Sequence, residues 1–239
     1  NLQLAPSIGY TGTLTKNEMT VRHLWLPAAA ASMAPQPGDL EADNLQPDDA
    51  ETGLLAGQIR VTGAGYDPTV GQVHLPHDSP LTWKLHLLLT GAALCSNARL
   101  RHLTTPSRWQ EIGDPTEAAL VVVAAKAGLN VEELQQRYPR QREIPFDSRR
   151  RMMTVVLGGG ADLWSDLWSS TFPQGHSQVA FTKGAPLEVV RHCQHILRDG
   201  AVEDLGHGDW EQVVAANDHF ARQGFRVLGL AARPGDRLQ

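Results

Sequence analysis

The sequence has no long apolar run, few cysteines and no excess of positive charge. Each of these absences argues against a class of protein. No stretch reaches the roughly 18 apolar residues that a membrane-spanning helix needs, and no basic region followed by an apolar one marks a signal peptide. The two cysteines, Cys95 and Cys193, form no CxxC pair and predict buried thiols in a reducing compartment. No histidine cluster has metal-ligand spacing, and a net charge of −5 argues against a general nucleic-acid binder. We therefore expect a cytosolic chain that enters no membrane, binds no nucleic acid and holds no metal site.

What the chain does contain is enough apolar material for a folded domain. Of its 239 residues, 41% are hydrophobic and 20% are charged, which is close to ordinary globular usage. Residues 28–57 depart from this average, because they are rich in alanine, proline and acidic side chains, and they predict a flexible surface loop. The alternative for this acidic loop is a docking surface for another protein. A second loop is predicted over 158–176.

The order of short strands and helices predicts an α+β fold, with a mainly antiparallel sheet flanked by helices. The clearest local signal is at Asp114, which is predicted to cap a helix that has Pro115 in its first turn and Glu117 three residues after the cap. Strands are predicted over 19–26, 58–62, 99–103, 109–112, 142–146, 152–157, 178–182 and 225–232, and helices over 80–98, 115–127, 131–138, 186–195 and 210–223.

Two side chains have surroundings that favour binding of an anionic or aromatic ligand. Lys183 follows the apolar residues 179–181, so its amine should be partly desolvated and suited to an anion or the edge of a ring. The alternative is a surface lysine at a strand end. Phe146 precedes a turn with arginines at 149–151, and an aromatic face beside cations can hold a nucleotide base and phosphates. The alternative is a core phenylalanine in a hairpin.

Two charged residues are further candidates. Arg226 is the only charge within the predicted strand 225–232, and it needs a partner or a ligand unless it faces outward. Glu117 lies in the first turn of its helix, where it is either a ligand contact or a carboxylate that complements the helix dipole. None of these four residues is specific by itself.

Their combination is specific, because five motifs occur in a fixed order: TGTLTKNEMTV (11–21), GDPTEAAL (113–120), PFDSRRRMMTVV (145–156), FTKGAPLEVV (181–190) and GFRVLGLAAR (224–233). In this order they resemble the nucleotide-binding (N) domain of a P-type cation-transporting ATPase, over nearly the whole chain apart from the two loops. No His-Pro pair of the heavy-metal pumps occurs, and KNEMT with GDPTE and KGAP is similar to the type II pumps, which carry calcium, or sodium and potassium.

The resemblance implies a role in ATP binding for seven residues. Phe146 would stack on adenine, Lys183 would line the deep end of the adenine pocket, and Glu117 would accept a hydrogen bond from the adenine amino group. The others are Arg226 at the sugar and phosphates, Leu228 beside the base, Arg151 where the family usually has lysine, and Gly184, which would let the backbone approach the ligand closely.

In this family TGTLT follows an Asp-Lys pair, and that aspartate is phosphorylated by ATP. Gly9 and Tyr10 stand at those positions here, and glycine cannot act as a nucleophile. The Gly-Asp-Gly segment with which the family holds magnesium does not occur either. We interpret 19–233 as a nucleotide-binding domain excised from between the halves of the phosphorylation domain, with 1–18 and 234–239 as border segments. The alternative is a degenerate pump.

The resemblance implies a cytoplasmic domain of a membrane-embedded pump. It would bind ATP, with Mg²⁺ carried on the phosphates, and position it for the phosphorylation domain of the same parent chain, with the actuator domain as a further partner. No catalytic residue is expected in the chain itself, which should be inactive alone. The alternative from another class is a docking or regulatory module without nucleotide binding. A free-standing phosphatase or kinase is disfavoured, because the nucleophilic aspartate is missing.

Overall fold

A computed structural model of the chain describes residues 2–9, 18–27, 55–75, 82–105, 107–159, 176–198 and 201–235. The predicted acidic loop is therefore described only at 55–57, and the second loop only at its ends. The TGTLT segment lies outside the described residues. Within the described ranges, no helix combines the length and the apolar character that crossing a membrane requires.

The core of the fold is an antiparallel sheet of nine strands in the order β4-β3-β2-β1-β13-β9-β8-β7, with β12 also paired to β1. Two further hairpins, β5–β6 and β10–β11, stand apart from it. The strands are β1 (Leu2–Gly9), β2 (Thr20–Trp25), β3 (Gln58–Val61), β4 (Val73–His74), β5 (Arg99–Thr104), β6 (Ser107–Ile112), β7 (Arg140–Asp147), β8 (Met152–Gly158), β9 (Gln178–Gly184), β10 (His195–Arg198), β11 (Ala201–Asp204), β12 (Phe225–Val227) and β13 (Gly229–Gly235).

The described residues bury apolar side chains in three clusters, two of which lie between the sheet and the five described helices. The helices are α1 (Thr82–Leu94), α2 (Pro115–Lys126), α3 (Val131–Arg137), α4 (Pro186–Arg191) and α5 (His207–Arg222). The larger of these two clusters joins the leucines of α1 to Phe181 and Leu230 of the sheet, and the smaller one joins α4 and α5 to Trp25. Leu24 belongs to the larger cluster and Trp25 to the smaller, so successive residues of β2 face different clusters.

The helix cap predicted at Asp114 is present. The Asp114 side chain accepts hydrogen bonds from the backbone N–H groups of Thr116, at 2.8 Å, and Glu117, at 3.1 Å. Pro115 occupies the first position of α2, where its missing N–H costs nothing. The cap fixes where α2 begins, and so places Glu117 in its first turn.

The predicted α+β class with a mainly antiparallel sheet is confirmed, since every described strand pairing is antiparallel. Several boundaries are wrong, among them the start of the helix predicted over 210–223, which begins at His207. The helix over 80–98 ends at Leu94, and the helix over 186–195 ends at Arg191, before the unpredicted hairpin β10–β11. The single strand over 225–232 is two strands: β12 pairs with β1, and β13 pairs with β1 and β9, so Leu228 lies between them.

The buried thiol of Cys95 gives a prediction about chemical reactivity. Cys95 is fully buried just after α1, its Sγ lies 3.5 Å from the carbonyl oxygen of Phe181, and burial raises its pKa to about 11. The thiolate is the reactive species, so at pH 8 we expect iodoacetamide to label Cys95 far more slowly in the folded protein than in urea. Peptide mass mapping with and without urea measures this, and equal labelling rates in both would contradict the burial described here.

Candidate functional site

Lys183 ends the row of β9 side chains that faces the larger core cluster. Side chains alternate along a strand, so Lys183 lies on the same face as Phe181 and Val179, which belong to that cluster. Its partners across the sheet, Met153 on β8 and Leu230 on β13, are also buried. Lys183 is 8% exposed, which excludes the alternative of a surface lysine.

The Lys183 amine is held by two oxygen atoms that lie far away in the sequence. Its Nζ donates to Glu117 Oε1 at 2.7 Å and to Ser96 Oγ at 3.0 Å. The other Glu117 oxygen, Oε2, accepts from the backbone N–H of Asn97 at 2.6 Å. The Glu117 side chain is 14% exposed, so the pair is largely withdrawn from water while its edge remains accessible. Glu117 thus does more than complement the dipole of α2.

The β7–β8 hairpin carries the aromatic and cationic candidates. Phe146 is 62% exposed, which excludes the alternative of a core phenylalanine. The Asp147 carboxylate accepts from the backbone N–H groups of Arg149, at 2.8 Å, and Arg150, at 2.9 Å. The N–H of Arg150 first, and then that of Arg149, hold the pKa of the Asp147 carboxyl below its usual value. Arg151 closes the turn at φ 54°, a left-handed conformation that costs a non-glycine residue about 1 kcal/mol.

The sheet register brings this hairpin to the same edge as Lys183. Met152, the first residue of β8, pairs with Asp147 on one side and with Gly184 on the other. Phe146 and Lys183 therefore lie at one end of three adjacent strands.

The remaining candidates reach the same end of the sheet from other elements. Gly229, next to Leu228, pairs with Gly184. The Arg226 side chain is exposed and its Nη1 lies 3.5 Å from the Thr116 hydroxyl, beside Glu117 at the start of α2. Leu228 is half-buried against the larger core cluster. All seven residues predicted from the sequence thus lie around the junction of β8, β9 and β13 with the first turn of α2.

Gly184 is required by the protein's own backbone. A Cβ atom placed there would lie 2.3 Å from the carbonyl oxygen of Arg151 and 2.7 Å from Cα of Met152. The carbonyl of Arg151 also accepts the N–H of Ala185 at 3.0 Å. The sequence predicts a close approach of the backbone to a ligand at Gly184, but here the backbone at the start of β8 makes a close approach to this glycine.

Four polar residues that are hydrogen-bonded around the Lys183–Glu117 pair were not predicted from the sequence, namely Ser96, Asn97, Arg140 and Glu143. Ser96 and Asn97 follow Cys95 just after the apolar helix α1, and a polar pair beyond the end of a buried helix was the available signal. Arg140 begins β7, and its guanidinium contacts the same pair from across the fold. Nothing in the local sequence of Arg140 indicates that contact.

Comparison with known families identifies the fold that carries this cluster. A family model described as P-type ATPase, cytoplasmic domain N, matches residues 84–237. The chain belongs to this family. The resemblance drawn from the five motifs is thereby confirmed, and the cluster described above is part of a cytoplasmic N domain.

Several cation-transporting ATPases are similar to this N domain along most of its length. It is 34% identical over 237 residues to the probable cation-transporting ATPase F of Mycobacterium tuberculosis, covering 94% of this chain and 20% of that protein. It is 29% identical over 231 residues to the calcium-transporting ATPase of Bacillus subtilis, at coverages of 94% and 20%. It is also 29% identical over 227 residues to the calcium-transporting ATPase type 2C member 1 of Bos taurus, at 94% and 19%. The chain thus spans about a fifth of the length of these relatives.

Proposed function

We propose that this N domain binds ATP and presents its γ-phosphoryl group to an aspartate on a neighbouring phosphorylation domain of a larger cation-transporting chain. Membership of the P-type N-domain family supports the general role. The observation that carries the proposal for this chain is the meeting of a buried Lys183–Glu117 pair and an exposed Phe146 at one end of the sheet.

The adenine base is the part of the ligand that this arrangement fits best. Phe146 offers an open ring face, and stacking of a base on an aromatic side chain contributes about 1–3 kcal/mol. Each Glu117 oxygen has one donor already, and a carboxylate oxygen has a second lone pair that can accept the adenine amino group. Lys183 would line the deep end of the pocket, and Leu228 would pack beside the base.

Arginines on two elements would hold the phosphates and sugar. Arg151 is fixed at the hairpin by a left-handed backbone conformation, which is a local strain of the kind that accompanies ligand sites. Arg226 extends from β12 next to Thr116 at the first turn of α2, where the helix dipole also favours negative charge. Mg²⁺ would arrive on the ATP phosphates.

In the parent protein the role of this domain would be positioning. The attacking carboxylate oxygen belongs to the neighbouring domain, a bond forms between it and the γ-phosphorus, and ADP leaves with the bridging oxygen. Closure of the two domains would bring the reactants into line. The separate domain lacks the phosphate contacts of the neighbouring phosphorylation domain. We therefore expect weak binding of ATP, with a dissociation constant of about 1 mM. The transported ion would be a cation, as the names of the relatives indicate for those proteins.

Replacing Phe146 by alanine tests the proposed stacking. We expect Phe146→Ala to raise the ATP dissociation constant roughly ten-fold, because the aromatic platform is lost. Little change in stability is expected, since the ring is 62% exposed. A fit of the amide NMR shifts over a full ATP titration to a binding isotherm measures the affinity.

Val70→Ala is the matched control, because it removes another exposed apolar side chain, 49% exposed, at the far end of α2. That end is located by Lys126, in the last turn of α2, whose Nζ donates to the carbonyl of Thr62 near Val70. We expect unchanged ATP affinity in this variant. Equal affinities of Phe146→Ala and the wild-type domain would remove Phe146 from the site.

A further inference from the structure

Arg140, at the start of β7, binds three acceptors at and just beyond the end of α1 and one acceptor on its own strand. Its Nη2 donates to the carbonyl oxygens of Leu94, at 2.8 Å, and Ser96, at 3.0 Å. Its Nη1 donates to Glu143 Oε2, at 2.7 Å, and to the side-chain oxygen of Asn97. The last turn of α1 contains no basic residue of its own. Arg140 therefore supplies from another element the cation that the C-terminal carbonyls of a helix favour.

The segment that Arg140 holds is the one that positions the Lys183–Glu117 pair. Ser96 accepts from the Lys183 amine through its hydroxyl, while its carbonyl oxygen is bound by Arg140. Asn97 donates its backbone N–H to Glu117, while its side-chain oxygen is bound by Arg140. Ser96 is also held by its hydroxyl, which donates to the carbonyl oxygen of Ala92 at 2.7 Å, so movement of the Arg140 guanidinium would loosen the Asn97 N–H more than the Ser96 hydroxyl.

A second contact fixes the Asn97 side chain from the same strand. Its nitrogen, Nδ2, donates to Glu143 Oε1 at 3.0 Å, so both the oxygen and the nitrogen of this side chain are held by β7. Lysine in place of Arg140 could not reproduce the arrangement, because one ammonium group lacks the planar fork that serves separate acceptors at once.

We propose that Arg140 is a positioning residue for the adenine end of the nucleotide site, acting through Ser96 and Asn97 on Glu117 and Lys183. This inference rests on the proposed function for its effect on ATP. Its effect on the site itself exists without nucleotide: Arg140 keeps the short hydrogen bond from the Asn97 N–H to Glu117 in place.

The test compares Arg140→Gln and Arg140→Lys with Arg142→Gln, which removes an exposed arginine of the same strand. The first readout is the Asn97 amide proton in the nucleotide-free protein, which should resonate downfield because its N···O distance is 2.6 Å. We expect this resonance to move upfield in Arg140→Gln, to move part of the way in Arg140→Lys, and to stay in Arg142→Gln.

The second readout is affinity for two ligands. Arg140→Gln should raise the ATP dissociation constant roughly five-fold, the scale of a lost positioning contact, and leave that of inorganic tripolyphosphate unchanged, since tripolyphosphate has no adenine. In a Glu117→Gln background, Arg140→Gln should add little to the loss of ATP affinity. A general loss of structure would weaken the binding of both ligands, and the losses of ATP affinity caused by Glu117→Gln and Arg140→Gln would then add.

The outcomes separate the two proposals. An Asn97 amide that moves in Arg140→Gln supports the positioning role even if the wild-type domain fails to bind ATP, a failure that would contradict the proposed function alone. An unmoved Asn97 amide together with unchanged ATP affinity overturns the role of Arg140. Equal weakening of ATP and tripolyphosphate also overturns it, since the effect would then not pass through the adenine end.

Discussion

Lys183→Met is expected to destabilise the fold by about 2 kcal/mol and to lose most ATP affinity. Removing one partner of a fully buried ion pair costs about 3–5 kcal/mol, because the remaining charge is left without its counterion. The cost should be lower here, since the Lys183 and Glu117 side chains keep 9% and 14% of their exposure. Urea unfolding measures the stability, and an ATP titration measures the affinity.

The double variant Lys183→Met with Glu117→Gln is the control that assigns this loss to the ion pair. The neutral glutamine can still accept the N–H of Asn97, which Glu117 accepts at 2.6 Å, but it carries no uncompensated charge. We expect the double variant to be more stable than Lys183→Met by about 1 kcal/mol. Its ATP affinity should stay low. A double variant less stable than Lys183→Met would contradict the assignment of the loss to an unpaired carboxylate.

Gly184→Ala is expected to destabilise the protein by about 3 kcal/mol, the upper range for overpacking. The added Cβ would lie 2.3 Å from the Arg151 carbonyl oxygen and 2.7 Å from Cα of Met152, both backbone atoms that cannot turn away as a side chain can. Relief would require β8 and β9 to separate at the edge that carries Phe146 and Lys183. ATP affinity should therefore fall together with the free energy of unfolding.

Gly208→Ala makes the same chemical change where no atom lies within 4 Å of the added Cβ. Gly208 lies inside α5, so alanine should stabilise the protein by about 0.5 kcal/mol through the smaller entropy of the unfolded chain. Thermal unfolding of both variants gives the comparison. If Gly184→Ala unfolds no more easily than the wild-type protein, the close approach of β8 to Gly184 is not as described.

Local patterns in the sequence predicted the elements better than their ends. The Asp114 cap of α2 could be predicted because the cap, the proline and the glutamate lie within four residues of one another, and such signals act locally. The end of α1 at Leu94 coincides with a tertiary contact instead, since Arg140 on β7 binds the carbonyl oxygen of Leu94. The split of the last strand at Leu228 likewise depends on which strands pair with β12 and β13.

The candidate site could be predicted in its members but not in its contacts. The motifs selected Glu117 and Lys183, yet these residues are 66 positions apart, and no spacing pattern shows that their side chains form an ion pair. Ser96, 87 positions from Lys183, was missed for the same reason. The reason for Gly184 also required the structure, because the atoms that exclude a side chain there belong to another strand.

Binding of ATP at one end of this sheet can be tested most directly by an ATP titration of the ¹⁵N-labelled domain in the presence of Mg²⁺. We expect saturable amide shifts, with a dissociation constant of about 1 mM, centred on Asn97, Glu117, the 146–151 hairpin and Lys183. The amides around Val70 at the far end of α2 should stay in place. No shifts at several times that concentration would contradict ATP binding at this end and favour a docking module, and shifts confined to other parts of the domain would place the site elsewhere.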